Sequence, residues 1–181
     1  MPFQLVHFVY HYLTYYLLVF LYHLSENKRQ ERERIFCRHT AVHFLDVARI
    51  GCLINAEEGL KISKEWIYAA ALLHDLGKHI QYENGTPHEI TGAAIAKRIL
   101  ADCGFDTEEI EIIADAILCH RNSDVRKERS LRGVLYRADK ASRACFLCDA
   151  KEECSWSDEK KNLRICRSEV CARSTGGLHR K

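Results

Sequence analysis

The chain has 181 residues, 47% of them hydrophobic and 29% charged, with a formal net charge of +2. That suits one globular domain with its own core, and the charge is too small to argue for nucleic acid. Two prolines and nine glycines leave few helix breakers, and period-2 alternation is hard to find, so an all-α fold is expected. Nine cysteines are many for a chain this size, but the N-terminus lacks the basic start and small-residue cleavage site of a secretory signal. The thiols therefore read as reduced, or as metal ligands, in a cytoplasmic compartment.

Phe3 to Leu24 contain no Asp, Glu, Lys or Arg, and Lys28, Arg29, Arg32 and Arg34 follow. The stretch is long enough to span a bilayer with a positive flank. Five tyrosines together with Gln4, His7, His11, Thr14 and His23 dilute it, which favours an aromatic helix packed on the domain over a membrane anchor. Residues 1–30 form this first unit.

Ser25 to Arg34 reads as a helix-favouring charged run that continues into a helix over Ile35–Leu53, with Ile35, Ala41, Val42, Leu45, Ala48 and Leu53 at helical spacing. Asn55 to Leu60 reads as a turn. Ser63 can cap a helix from Lys64 to Leu76, with Gly77 in the usual C-terminal position and Lys78 to Gly85 as a polar loop. Thr86-Pro87 starts a helix to about Asp102, closed by Gly104. Asp106 or Thr107 caps the next, which reaches His120. Arg121 to Glu128 reads as a charged loop, and Ser130 to Cys145 as the last core helix. Cys148 to Lys161 is polar and Cys-rich, and the chain is basic at its end.

Helix positions carry an ordered set of possible metal ligands: His43, then His74-Asp75, then His88, then His120, then Asp139. Each imidazole offers one nitrogen and each carboxylate one or two oxygens, so Asp75 could bridge two ions. Such mixed N/O sets suit Fe, Mn, Co, Ni or Zn. His7, His11, His23 and His179 read as ordinary polar groups, and His79 is open between the two readings. Asp46, near His43, either orients an imidazole or is solvated.

The order, with His43-x-x-x-Val47-Ala48, Ala71-Leu72-Leu73-His74-Asp75-Leu76-Gly77-Lys78 and Ala138-Asp139, resembles the HD-domain phosphohydrolase superfamily, in particular its small stand-alone members. The resemblance covers about Ile35 to Arg143. It implies a compact helical bundle of five to seven helices, with residues 31–145 as the HD domain and 146–181 as a Cys-rich tail. It also implies metal-dependent hydrolysis of a phosphate ester or anhydride, with a small, nucleotide-like phosphorylated substrate and no nucleic acid.

By the same resemblance, His43, His74, Asp75 and Asp139 would hold one metal. His88 and His120, matching the extra pair of the binuclear branches, would hold a second with Asp75 bridging. A Gly-Tyr-Pro motif is absent, which argues against cyclic dinucleotide phosphodiesterase activity. Asp75 and Lys78 would be catalytic. His39, one turn before His43 on the same face, is an alternative ligand but is better placed to support the ligands or contact substrate, and Lys78, Arg121, Lys140 and Arg143 either contact substrate or are solvated surface. The alternative is a regulatory metal-bearing module without turnover.

Cys145-x2-Cys148-x5-Cys154 is a clustered trio that Cys37 could complete. Four thiolates suit zinc or an iron–sulfur cluster, and the spacing is similar to the iron–sulfur staple of certain nucleases. Cys166 and Cys171 are other sources of thiols. The competing reading places Cys145 and Cys148 as small core residues on the last helix. Cys52, Cys103 and Cys119 read as core.

Overall fold

The computed structural model describes residues 17–163. The segment 3–16 of the N-terminal stretch, together with Cys166, Cys171, His179 and the basic C-terminus, lies outside the described residues.

Among the described residues the regular structure is helical throughout, with no strand. Residues 17–30 are the described part of α1. There follow α2 (Ala41–Glu57), α3 (Lys64–Leu73), α4 (Lys78–Asn84), α5 (His88–Asp102), α6 (Thr107–Cys119) and α7 (Leu131–Ala141). Short 3-10 turns occupy Ser123–Lys127 and Cys145–Leu147. Helix α2 packs on α3 and α7, α5 on α6, and α6 on α7. Phe44, Val47, Ala70, Leu76, Ala96, Leu100, Ile113 and Ile117 fill the shared core.

Local signals set most of the boundaries. Asp106 and Glu109 form a reciprocal capping box at the start of α6. Ser130 accepts from the Gly133 N–H at the start of α7. Gly104, at φ +84°, closes the turn after α5 in the left-handed region, as its sequence position suggests.

Three expected boundaries are corrected. The first concerns the helix expected over Ile35–Leu53, which starts only at Ala41, where Thr40 accepts from the His43 N–H. Residues 31–40 are instead irregular, because Glu31 turns inward. Its carboxylate accepts the backbone N–H of His39 at 2.7 Å and hydrogen-bonds the His39 ring Nδ1. The Tyr82 hydroxyl donates to the same carboxylate at 2.7 Å. A buried carboxylate with three donors holds the loop in place of helical hydrogen bonds.

The second correction concerns Gly77. It is not a left-handed helix terminator: its φ is −76°, and it opens a further helix, α4, where a polar loop was expected. Its lack of a side chain matters for another reason. A Cβ there would meet the backbone N of Gly92 at 2.6 Å and the His88 carbonyl oxygen at 2.7 Å. Gly77 thus lets α5 come down onto the end of α3. The third correction is that α7 stops at Ala141, so Cys145 and Cys148 lie beyond the last helix.

Helix α1 lies against the domain through Val19, Phe20 and Leu24, with the Phe20 and Phe44 rings 6.5 Å apart. Fully buried Asn27 donates to the Asp75 carbonyl at 2.9 Å and accepts from the His79 N–H at 2.7 Å. Leu17, Leu18, Leu21 and Tyr22 face outward. No helix of the described residues is long and apolar enough to cross a membrane.

Two stability predictions follow from these contacts. Gly77→Ala should cost about 1–3 kcal/mol by forcing backbone apart, measured by urea unfolding. Glu31 supplies the second. Burial alone would raise its pKa, but the ring hydrogen bond and charge of His39, its backbone N–H and the Tyr82 hydroxyl outweigh burial and hold it down at about 2. A depressed folded-state pKa stabilises the protein above the unfolded value, and that stabilisation fades as pH falls toward the folded value. Glu31→Gln should therefore lose about 3 kcal/mol at neutral pH. Its deficit relative to the parent protein should shrink as pH falls below about 4.5, as denaturant midpoints across pH would show.

Candidate metal centre

Each helix end brings one polar group to a common point. His43 comes from the first turn of α2, His74 and Asp75 from the end of α3, and His88 from the start of α5. His120 follows α6, and Asp139 lies on the inner face of α7. All six are buried. Donor atoms of His43, His74, Asp75 and Asp139 lie within 4.8 Å of one another, and so do those of Asp75, His88 and His120. Asp75 is common to both groups, one oxygen toward each. Its Oδ2 lies 3.0 Å from His74 Nε2 and 3.6 Å from His43 Nε2, while Oδ1 lies 3.1 Å from His88 Nε2 and 3.6 Å from His120 Nε2.

The imidazoles are aimed as well as gathered. His74 Nδ1 donates to the Ala71 carbonyl at 2.7 Å, and His120 Nδ1 to the Ile117 carbonyl at 2.6 Å. His43 Nδ1 pairs with the Ser142 hydroxyl at 3.0 Å, and His88 Nδ1 with Gln81 Oε1 at 2.5 Å. Fixing Nδ1 in this way leaves every Nε2 facing the centre, the orientation that metal-binding histidines are given by their outer partners. Nε2 of His43 and of His74 is buried and makes no hydrogen bond. Buried polar atoms without partners are rare, and here they point among carboxylates. The donor set and its geometry fit divalent transition ions.

Burial works against the charges of Asp75 and Asp139, yet both stay well below the usual carboxylate range. For Asp75 the surrounding His74 and His39 charges and the close His120 and His43 rings prevail. For Asp139 the close His43 and His74 rings and the Lys140 charge do so. The same carboxylates, against burial, raise His74 to about 10. Lys140 Nζ sits 2.5 Å from Asp139 Oδ2, and Arg143 Nη2 3.4 Å from Asp139 Oδ1.

Asp75, His88, His120 and Asp139 of this centre line a cavity of 320 Å³ and make its floor, with His43 and His74 behind them. His39, Lys78, Arg121, Lys140 and Arg143, the expected substrate contacts, all line it. Lys78 Nζ is 3.3 Å from His88 Nδ1, and burial lowers its pKa. Arg121 is more exposed and is paired with Glu89 at 3.2 Å. His39 is more deeply placed than a wall residue. Its Nδ1 is held by Glu31, and its Nε2 is 3.6 Å from Asp75 Oδ2.

Further lining residues had no sequence signal of their own. Arg34, Phe36, Lys151, Trp156 and Lys161 come from loops, where no periodicity marks a facing side. Asp46 takes the solvated alternative, pairing with Arg49 at 3.4 Å on the surface. His79 is buried against His23, their ring nitrogens 2.9 Å apart, away from the centre. Cys103 is exposed and Cys119 half-buried, which corrects the core reading of those two, while partly buried Cys52 packs against the core.

Comparison with known proteins places this arrangement. The HD domain family model matches residues 40–152, which include all six convergent residues. A protein of Clostridium beijerinckii without an assigned function is 52% identical over 146 residues, covering 81% of this chain and 91% of its own. Ribonuclease Y of Mycoplasma mycoides is 32% identical over 105 residues, 58% of this chain but only 18% of that enzyme. The chain thus spans under a fifth of that relative. The crystal structure of a predicted HD superfamily hydrolase from an uncultured Thermotogales bacterium superposes with a TM-score of 0.54 at 24% identity, covering 85% of this chain and 90% of the other, and shares its fold. With its ordered ligands at helix ends, its all-helical bundle and a family match over more than half its length, this chain belongs to the HD-domain family.

Proposed function

We propose that the protein is a metal-dependent phosphohydrolase that cleaves a phosphate ester or anhydride of a small, nucleotide-like substrate. The observation that carries this reading is the sharing of Asp75 between two groups of inward-facing ligands, directly beneath a cation-rimmed cavity. His43, His74, Asp75 and Asp139 would hold one ion, and Asp75, His88 and His120 a second. Ions bound there would supply Lewis acidity toward phosphoryl oxygens and lower the pKa of a water.

The protein's own groups then have distinct tasks. Lys78, Lys140 and Arg143 surround the floor and offset phosphate charge. Arg121 and Arg34 extend that positive field to the rim. Trp156 and Phe36 present flat apolar faces on the wall, suited to a nucleobase or similar ring. Lys140 Nζ lies 5.9 Å from the Trp156 ring centroid, so the ring and the phosphate-facing cation adjoin. A cavity of this volume suits a ligand of nucleotide size. The likeness to ribonuclease Y makes a short oligoribonucleotide a necessary member of any substrate panel.

The test is phosphate release by the manganese- or iron-loaded protein. Substrates should include nucleoside mono-, di- and triphosphates, an aryl phosphate and a short oligoribonucleotide. Asp75→Asn should lower kcat/KM by more than about 100-fold, beyond the loss typical of an outer partner. Lys78→Ala should raise KM about tenfold, the worth of one charge-assisted hydrogen bond. Stoichiometric metal with no turnover on the whole panel would favour the regulatory module instead.

A further inference from the structure

A second group of donors stands in the wall of the same cavity. Cys37 comes from the loop before α2, Cys145 from the 3-10 turn after α7, Cys148 from the end of that turn, and Cys154 from the loop beyond. All four line the cavity, and none is in a disulfide. They are brought together across more than 100 residues of sequence. Burial raises the pKa of the Cys37 thiol, Arg143 opposes, and the charges of Cys145, Cys148 and Cys154 each push it further up.

The backbone around them is firmly held. The Cys148 N–H donates to the Cys145 carbonyl at 3.1 Å, so both thiols belong to one tight turn. The returning strand of loop is tied at buried Asn162, whose Nδ2 donates to the carbonyls of Lys140, Ala141 and Arg143 at 2.7, 3.0 and 2.8 Å. Its own carbonyl accepts from the Phe146 N–H at 3.0 Å. Arg34 donates to the Cys37 carbonyl at 2.9 Å. Arg34, Arg143 and Lys151 give this wall the positive charge that an anionic thiolate centre requires.

We infer that Cys37, Cys145, Cys148 and Cys154 form a second metal centre, a four-thiolate site that holds an iron–sulfur cluster. Reduced, clustered thiols from separate segments are the donor set of such centres and of structural zinc. Spacing argues against a single zinc. A single zinc with Zn–S bonds of about 2.3 Å draws its four sulfurs to within roughly 3.8 Å of one another. Among the described residues, the groups whose donors all fall within 4.8 Å of one another are the two at Asp75. No three of the four sulfurs meet that limit, whereas a cluster, in which each thiolate binds a different iron, takes thiols that stand further apart. The role is structural: the centre would pin the loop after α7 to the loop before α2, fixing the wall that carries Trp156 and Lys151.

The test uses the full-length protein purified without oxygen, and again after supply of ferrous iron and sulfide. Acid-labile sulfide and broad visible absorption are expected. Both should fall to background in Cys148→Ser and in Cys154→Ser, and persist in Cys103→Ser and in Asp75→Asn. Circular dichroism of the variants separates loss of the centre from loss of the fold, and Cys154→Ser changes only a loop outside the helical core. Sulfide at background in the parent protein under both conditions overturns the proposal. So does zinc, bound in place of iron and lost in Cys148→Ser. Since Asp75→Asn abolishes the proposed hydrolysis but not the chromophore, failure of either reading is distinguishable from failure of the other.

Discussion

The constraint on which this architecture turns is the burial of the Asp75 carboxylate. An ionised carboxylate out of water is very costly unless other groups compensate it. Here His43, His74, His88 and His120 turn Nε2 toward it, with His39 one step further round and Arg143 Nη2 at 3.9 Å. No single helix could supply these contacts, because neighbours on one helix face recur only every third or fourth residue. The groups must come from α2, α3, α5, α7 and the end of α6 together, so the packing of those helices and the integrity of the centre are one problem. The small residues at their contacts, such as Ala48, Ala70, Ala96, Ala116 and Ala138, allow the close approach this requires.

Much of this could be read from the sequence because helix ends announce themselves. His74-Asp75 follows an apolar helical run, His88 follows Thr86-Pro87, and His120 ends a helix opened by a capping box. The residue types and their order were enough to suggest one centre. Where reading failed, a long-range contact had overridden a local preference. Ile35 to Thr40 has helical periodicity, but Glu31 captures the His39 backbone and ring from outside any helix. Gly77 looks like a terminator, yet its use is fixed by His88 and Gly92, which the sequence does not place beside it. Trp156 and Lys151 lie in a polar loop without period, so nothing local marks them as cavity wall.

His39 shows how one residue can fall between two descriptions. From sequence it sits one turn before His43, placed either to support the metal ligands or to contact substrate. In the fold its Nδ1 is tied to a carboxylate and its Nε2 directed inward, 3.6 Å from Asp75 Oδ2, the same arrangement that aims the other four histidines. The Glu31–His39 pair therefore couples the loop before α2 to the electrostatics of the floor. That loop also carries Arg34, Phe36 and Cys37, so the rim cation, the flat apolar face and one thiol share a single anchor.

Asn27 and Asn162 together define how much chain this centre needs. One clamps the Asp75 carbonyl from before the region matched by the HD family, and the other clamps the end of α7 from after it. A fragment trimmed to residues 40–152 would keep the six candidate ligands around Asp75 but lose both clamps, along with Glu31, Cys37 and Cys154. The smallest working unit is thus set by two amide side chains rather than by the family boundary, and any minimal expression fragment should begin upstream of Asn27 and run past Asn162.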